Sequence, residues 1–180
     1  MKNAEPELTA MLHIIGEGGP NDRAALRLDT RQRNHIQNVQ KLDRHPDALS
    51  AGVKIIEANY NGAKCVSATA LYNCAGLVFG SRRTWIEVEI SEWILREDNF
   101  ERLQSSADWD VGDVVVYRMG NAISHVARIR SIIRPIAWGE IQVIVVSAWG
   151  ESGEYVHPWK VVSPLLGAPA EVWSQRKAVA

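Results

Sequence analysis

The sequence predicts an α+β domain in which helices come first and a mostly antiparallel sheet follows. Two observations carry that expectation. Before Trp109, apolar residues recur at roughly helical intervals among charged ones. After Trp109, short runs rich in β-branched residues alternate with turn signals. Helical and strand patterns are segregated along the chain, not alternating, which favours an α+β arrangement.

The elements are expected in this order. Residues 1 to about 22 carry Pro6, Gly16, Gly18, Gly19 and Pro20 and read as a poorly structured lead-in. From 22 to about 42, Ala25, Leu28, Ile36, Val39 and Leu42 mark one or two amphipathic helices, interrupted before Pro46. Residues 53–58 form a short apolar run, Tyr60-Asn61-Gly62 is a turn, and 66–72 lead into Cys74. Residues 75 to about 86 read as a helix with Leu77, Val78, Trp85 and Ile86 as its apolar faces. Gly76 and Gly80 cost that helix up to about 1 kcal/mol each relative to Ala, and leave a smooth stripe for close packing. Ser91 is placed to cap a short helix bearing Trp93, Ile94 and Leu95. Strands are expected at 114–117, 123–133, 141–147 and 154–157, with a last edge strand at 172–176. The chain divides into a lead-in and helical extension, 1–50, and a main domain, 51–180.

A chain of 180 residues buries roughly 70% of its unfolded surface and needs no disulfide or metal to hold it. Its 20 basic and 21 acidic side chains give a net charge of -1, which points to no nucleic-acid partner and no anionic membrane surface. Cys65 and Cys74 are the only cysteines, too few for a disulfide framework and without CxxC spacing. The N-terminus lacks the basic start and apolar stretch of a Sec signal, so a cytoplasmic location is expected, with non-Sec export left open. Apolar runs such as 141–146 fall far short of the roughly 18 residues that span a bilayer. No cofactor is indicated, and the oligomeric state is not legible.

The chemistry centres on Cys74 and His125. Cys74 stands where an extended segment turns into a predicted helix, and His125 stands at the start of a predicted strand. A helix N-terminus and a neighbouring imidazolium together lower a thiol pKa to roughly 3.5–7.5. Backbone N–H groups around Cys74 and Ala75 would be placed to hold an oxyanion.

Asn73-Cys74-Ala75-Gly76-Leu77-Val78 closely resembles the Asp-Cys-Ser-Gly-Leu-Val signature of NlpC-like cysteine peptidases, a branch of the papain-like fold. Gly112-Asp113-Val114-Val115-Val116-Tyr117, followed by Ile123-Ser124-His125-Val126-Ala127, is similar to that family's Gly-Asp-Leu-Val-Phe-Phe and Ser-His-Val-Gly pair. The resemblance covers about residues 70–150. It implies a papain-like core with extra N-terminal helices, in which a helix bearing Cys74 packs on an antiparallel sheet bearing His125. It also implies that Cys74 is the nucleophile and His125 the general base of a hydrolase cleaving amide bonds in a peptide or other amide substrate. Relatives include amidases, deamidating toxins and acyltransferases. Asn73 stands in place of the family's Asp, and Ala75 in place of its Ser. The polar residue that orients the histidine would be Ser147, with Glu154 or His157 as alternatives.

Plainer roles stand beside these. Cysteine is often a small core hydrophobe, which is the reading for Cys65. A zinc site from Cys65, Cys74, His125 and His157 has suitable ligand types but scattered spacing. Arg82 and Arg83 suit a substrate carboxylate or a solvated face. Trp138, Trp149 and Trp159 suit a groove or a core, and Asp113 a turn before its strand. The alternatives to the hydrolase are a non-catalytic binding module on a papain-like shell, and a deamidase or acyltransferase effector using the same Cys74–His125 pair.

Overall fold

A computed structural model describes residues 25–135 and 139–176. Seven strands form one sheet in the order β2-β8-β7-β6-β5-β9-β4, and every neighbouring pair is antiparallel. The strands are β2 (Lys64–Ser67), β4 (Glu101–Arg102), β5 (Val114–Met119), β6 (Ala122–Ile133), β7 (Gln142–Ala148), β8 (Glu154–Pro158) and β9 (Ala168–Ser174). A separate antiparallel pair joins β1 (Asn38–Val39) to β3 (Trp85–Ile86). Among the described residues there are three short α-helices: α1 (Pro46–Asn59), α2 (Cys74–Phe79) and α3 (Ser91–Glu97).

This architecture overturns the expected α+β, papain-like core with its extra N-terminal helices. The molecule is dominated by a seven-stranded antiparallel sheet, and its helices are minor attachments. The loosely helical spacing of 25–42 does not produce a helix. Thr30 and Asn34 close a turn through Arg33, which has a φ of 67°. Glu97 holds that turn, accepting from Thr30 Oγ1 at 2.5 Å and Asn34 Nδ2 at 2.8 Å. The expected helix over 75–86 stops at Gly80, because Ser81 and Arg82 adopt φ values of 53° and 61° and reverse the chain into β3. A true helix begins where a break was expected, with Pro46 in its first turn and His45 as N-cap. Residues 1–24 lie outside the described structure.

Strand alternation divides the core between two faces. Val114, Val116, Val126 and Val146 pack with Leu77, Val78, Ile94 and Leu95 from α2 and α3. Val115, Tyr117, Ala127, Val143, Val145 and Val172 line the other face, with Trp109 and Trp159 against them. Several of these side chains are fully buried, each stabilising the fold by about 1.5–3 kcal/mol. The third cluster, Ile56, Ala63, Trp149, Tyr155 and Leu166, seats α1. The strand expected at the edge is interior: β9 pairs with β5 on one side and β4 on the other. Ser91 is the first residue of α3, not its cap, and its hydroxyl is buried without a partner. Among the described residues no helix is long and apolar enough to cross a membrane.

Candidate active site

Helix α2 is six residues long, and its position is set by bonds at both ends. At the start, the Asn73 side chain caps it by accepting from the Gly76 N–H at 2.9 Å. The same side chain accepts from the Ile86 N–H at 3.2 Å and donates to the Ile86 carbonyl at 2.7 Å. At the other end, Arg128 of β6 donates to the Val78 carbonyl at 2.7 Å. Gly76 lies directly against the backbone of Thr84, where no Cβ fits. The close approach that its lack of a side chain permits is thus to the chain's own returning segment.

This arrangement holds Cys74 at the first position of α2, with the side chain almost fully buried. Backbone N–H groups of Val126, Ala75 and Cys74 itself favour its thiolate. Burial outweighs them, and with a contribution from the Glu89 carboxylate it pushes the thiol up to about 11. Six residues make too small a dipole to reverse that balance.

His125 lies on β6 opposite Tyr117 of β5, their rings 5.2 Å apart and nearly edge to face. It is 1% exposed, and its Nε2 has no hydrogen-bond partner. Burial lowers its pKa to about 3, and the neighbouring charge of His157 acts in the same direction. The resting pair is therefore neutral thiol and neutral imidazole, contrary to the activated thiolate expected from the sequence. Cys74 packs with Val126 on one face of the sheet, whereas His125 packs edge to face with Tyr117 of the other. No hydrogen bond joins the two side chains. Both residues are in the lining of a cavity of about 860 Å³.

The three candidates for an orienting residue are engaged elsewhere. Ser147 Oγ and His157 Nε2 are 2.9 Å apart, and Trp149 Nε1 donates to Ser147 Oγ at 3.0 Å. His157 Nδ1 lies 2.9 Å from the Pro158 carbonyl. A carbonyl only accepts, so Nδ1 carries the proton and Ser147 donates its own to Nε2. Glu154 accepts two bonds from Arg82, at 2.8 and 3.0 Å, and one from the Tyr72 hydroxyl at 2.6 Å. None of the three bonds to His125.

The remaining candidates among the described residues fall outside the cavity. Cys65 is half-buried on β2 opposite Tyr155. Trp149 sits in the core beside Tyr60 and Tyr155, and Trp159 packs edge to face with Trp109. Trp138 lies outside the described residues. Arg83 donates weakly to the Gly80 carbonyl. Asp113 accepts from the Asp110 N–H and pairs with Arg176, closing the turn before β5. Among the described residues no three His, Cys, Asp or Glu side chains are grouped as metal ligands.

Sequence reasoning missed much of the cavity wall. Lys41 places its ammonium 3.9 Å from the centre of the Trp85 ring and pairs with Glu151 at 3.5 Å. Glu87 and Glu89 border the opening, and Leu166 reaches it from the segment before β9. These residues share no motif, and only the pairing of β1 with β3 brings Lys41 towards Trp85. Comparison with family models, curated proteins and solved structures finds no match to this chain.

Proposed function

We propose that this protein is a cysteine hydrolase acting on amide bonds, with Cys74 as nucleophile and His125 as its base. The observation that carries the reading is that Cys74 and His125 are both among the residues lining one cavity, where backbone N–H groups favour the Cys74 thiolate. The order of the motifs around Cys74 and His125 supports it, and the reading does not depend on a papain-like core.

Because the resting pair is neutral and not hydrogen-bonded, substrate binding has to draw the thiol towards the imidazole. As the sulfur attacks the carbonyl carbon, the imidazole takes the thiol proton, and backbone N–H groups near Cys74 stabilise the oxyanion. The C–N bond then breaks, and the imidazolium protonates the departing amine. Water, giving a proton to the imidazole, attacks the thioester. The acid leaves, and the proton returns to the thiol.

The test is acylation with p-nitrophenyl acetate, read by peptide mass spectrometry. A hydroxylamine-labile acetyl group on Cys74, absent from Cys65 and lost in His125→Gln protein, is the expected result. No adduct at Cys74, or one indifferent to His125, would overturn the reading.

The unpartnered Nε2 of His125 and the raised thiol pKa favour a second reading, a binding module without turnover. The cavity volume lies in the range of small-molecule sites. Ligand uptake unaffected by Cys74→Ala, together with failed acylation, would select it.

A further inference from the structure

We propose that the cavity selects cationic ligands, amides bearing an ammonium or guanidinium group that Glu87 and Glu89 hold beside the thiol. This substrate class rests on the hydrolase reading.

Four observations lead to it. Glu87 and Glu89 flank Val88 at the cavity wall, and both are exposed. Neither makes an ion pair among the described residues. The 3-10 turn Val88–Ile90, which contains Glu89 and follows Glu87, packs on β6, the strand that carries His125. Glu89 and Cys74 line the same cavity, so a cation seated on that carboxylate shares the cavity with the nucleophile.

The cation already in the wall does not cancel this field. Lys41 is largely buried over Trp85 and pairs with Glu151, a carboxylate that also takes Arg44, so it sets at most one positive charge against the two carboxylates. His125 contributes no positive charge while it is neutral. It does contribute a buried, unpartnered Nε2 on a residue of the cavity lining, 1% exposed. A buried polar atom without a partner is costly, and a ligand with a hydrogen-bonding group supplies one. Trp85, Ile86, Ile123 and Leu166 make the rest of the wall apolar. The ligand chemistry that fits is an apolar body, a polar carbonyl group and a positive charge. An anionic ligand would meet two exposed carboxylates in the lining, against the single charge of Lys41.

Three methanethiosulfonate reagents test the selectivity without requiring turnover: the trimethylammonioethyl, methyl and sulfonatoethyl forms. In each reaction the Cys74 sulfur bonds to the reagent's thioalkyl sulfur, methanesulfinate leaves, and the thiol proton passes to solvent. Peptide mass spectrometry reads Cys74 and Cys65 separately. At low ionic strength the cationic reagent should modify Cys74 about tenfold faster than the anionic one. That ratio should collapse towards one in the Glu87→Gln/Glu89→Gln double variant and shrink with added salt, while the ratio at Cys65 stays constant. A Cys74 ratio untouched by the double substitution would overturn the proposal. So would a Cys74 that none of the three reagents reaches, because the cavity would then admit no ligand to the thiol. Acylation by p-nitrophenyl acetate without charge selectivity removes this inference and leaves the hydrolase. Charge selectivity without acylation removes the hydrolase and leaves a cation-selective cavity.

Discussion

Asn73 grips Ile86 by both of its backbone polar groups, accepting from the N–H at 3.2 Å and donating to the carbonyl at 2.7 Å. Its Oδ1 also caps α2 through Gly76, so one amide side chain joins the start of the Cys74 helix to β3. An aspartate keeps the acceptors and loses the donor, turning a carboxylate towards the Ile86 carbonyl. Asn73→Asp should therefore destabilise the fold by about 1–3 kcal/mol, although it restores the residue of the signature that this segment resembles. Urea unfolding checks it, and stability equal to the unsubstituted protein would count against the arrangement.

Gly76 and Gly52 should respond oppositely to alanine. At Gly76 a Cβ collides with the Thr84 carbonyl, and the overpacking should cost at least about 2 kcal/mol. At Gly52, inside α1, the nearest atom is Ser152 Oγ at 3.5 Å, an ordinary contact. Alanine there should stabilise by about 0.5–1 kcal/mol through helix propensity. Denaturant midpoints of the two variants give the comparison.

The Cys74 thiol should be sluggish at neutral pH. Burial disfavours its charged form and raises the pKa from 9.0 to about 11, so the thiolate fraction grows about tenfold per pH unit across the range 7 to 10. Iodoacetamide labelling of the Cys74 peptide should follow that slope without a plateau. A plateau near pH 7 would mean an activated thiolate that this resting structure does not contain.

Acid should weaken the fold through two histidines. Burial lowers His125 from 6.5 to about 3 and His157 from 6.5 to about 4. Between those values the unfolded chain binds more protons than the folded one, so stability rises with pH there and is lost as pH falls. The melting temperature should drop on acidification from pH 6.5 towards 4, and the slope should be shallower in His125→Gln protein. An unchanged slope would show that His125 titrates normally when folded.

Parts of this molecule were plain from local sequence. The β-branched runs at 114–117, 123–133, 141–147 and 154–157 coincide, within a residue or two, with β5, β6, β7 and β8. Tyr60-Asn61-Gly62 turns the chain, with Gly62 at a φ of 92°. The helix start at Cys74 was legible as the point where an extended segment gives way to a helical one, and in the structure Asn73 caps it. The end of that helix was not, because it depends on Ser81 and Arg82 taking positive φ values under the pull of the Arg82–Glu154 pair and the β1–β3 pairing. The helical spacing over 25–42 misled for a similar reason. Glu97, more than sixty residues away, supplies the hydrogen bonds that hold Thr30 and Asn34 in a turn.

Sequence by itself determined the local alternation that makes strands, the turn at Tyr60-Asn61-Gly62, and the helix start at Cys74. Tertiary structure alone decided that the sheet outweighs the helices, that β9 lies inside it, and which residues wall the cavity. It also decided the protonation of Cys74 and His125. A pKa follows from how much solvent a group loses, and that loss is set by distant strands closing over the thiol and the imidazole, which no local pattern records.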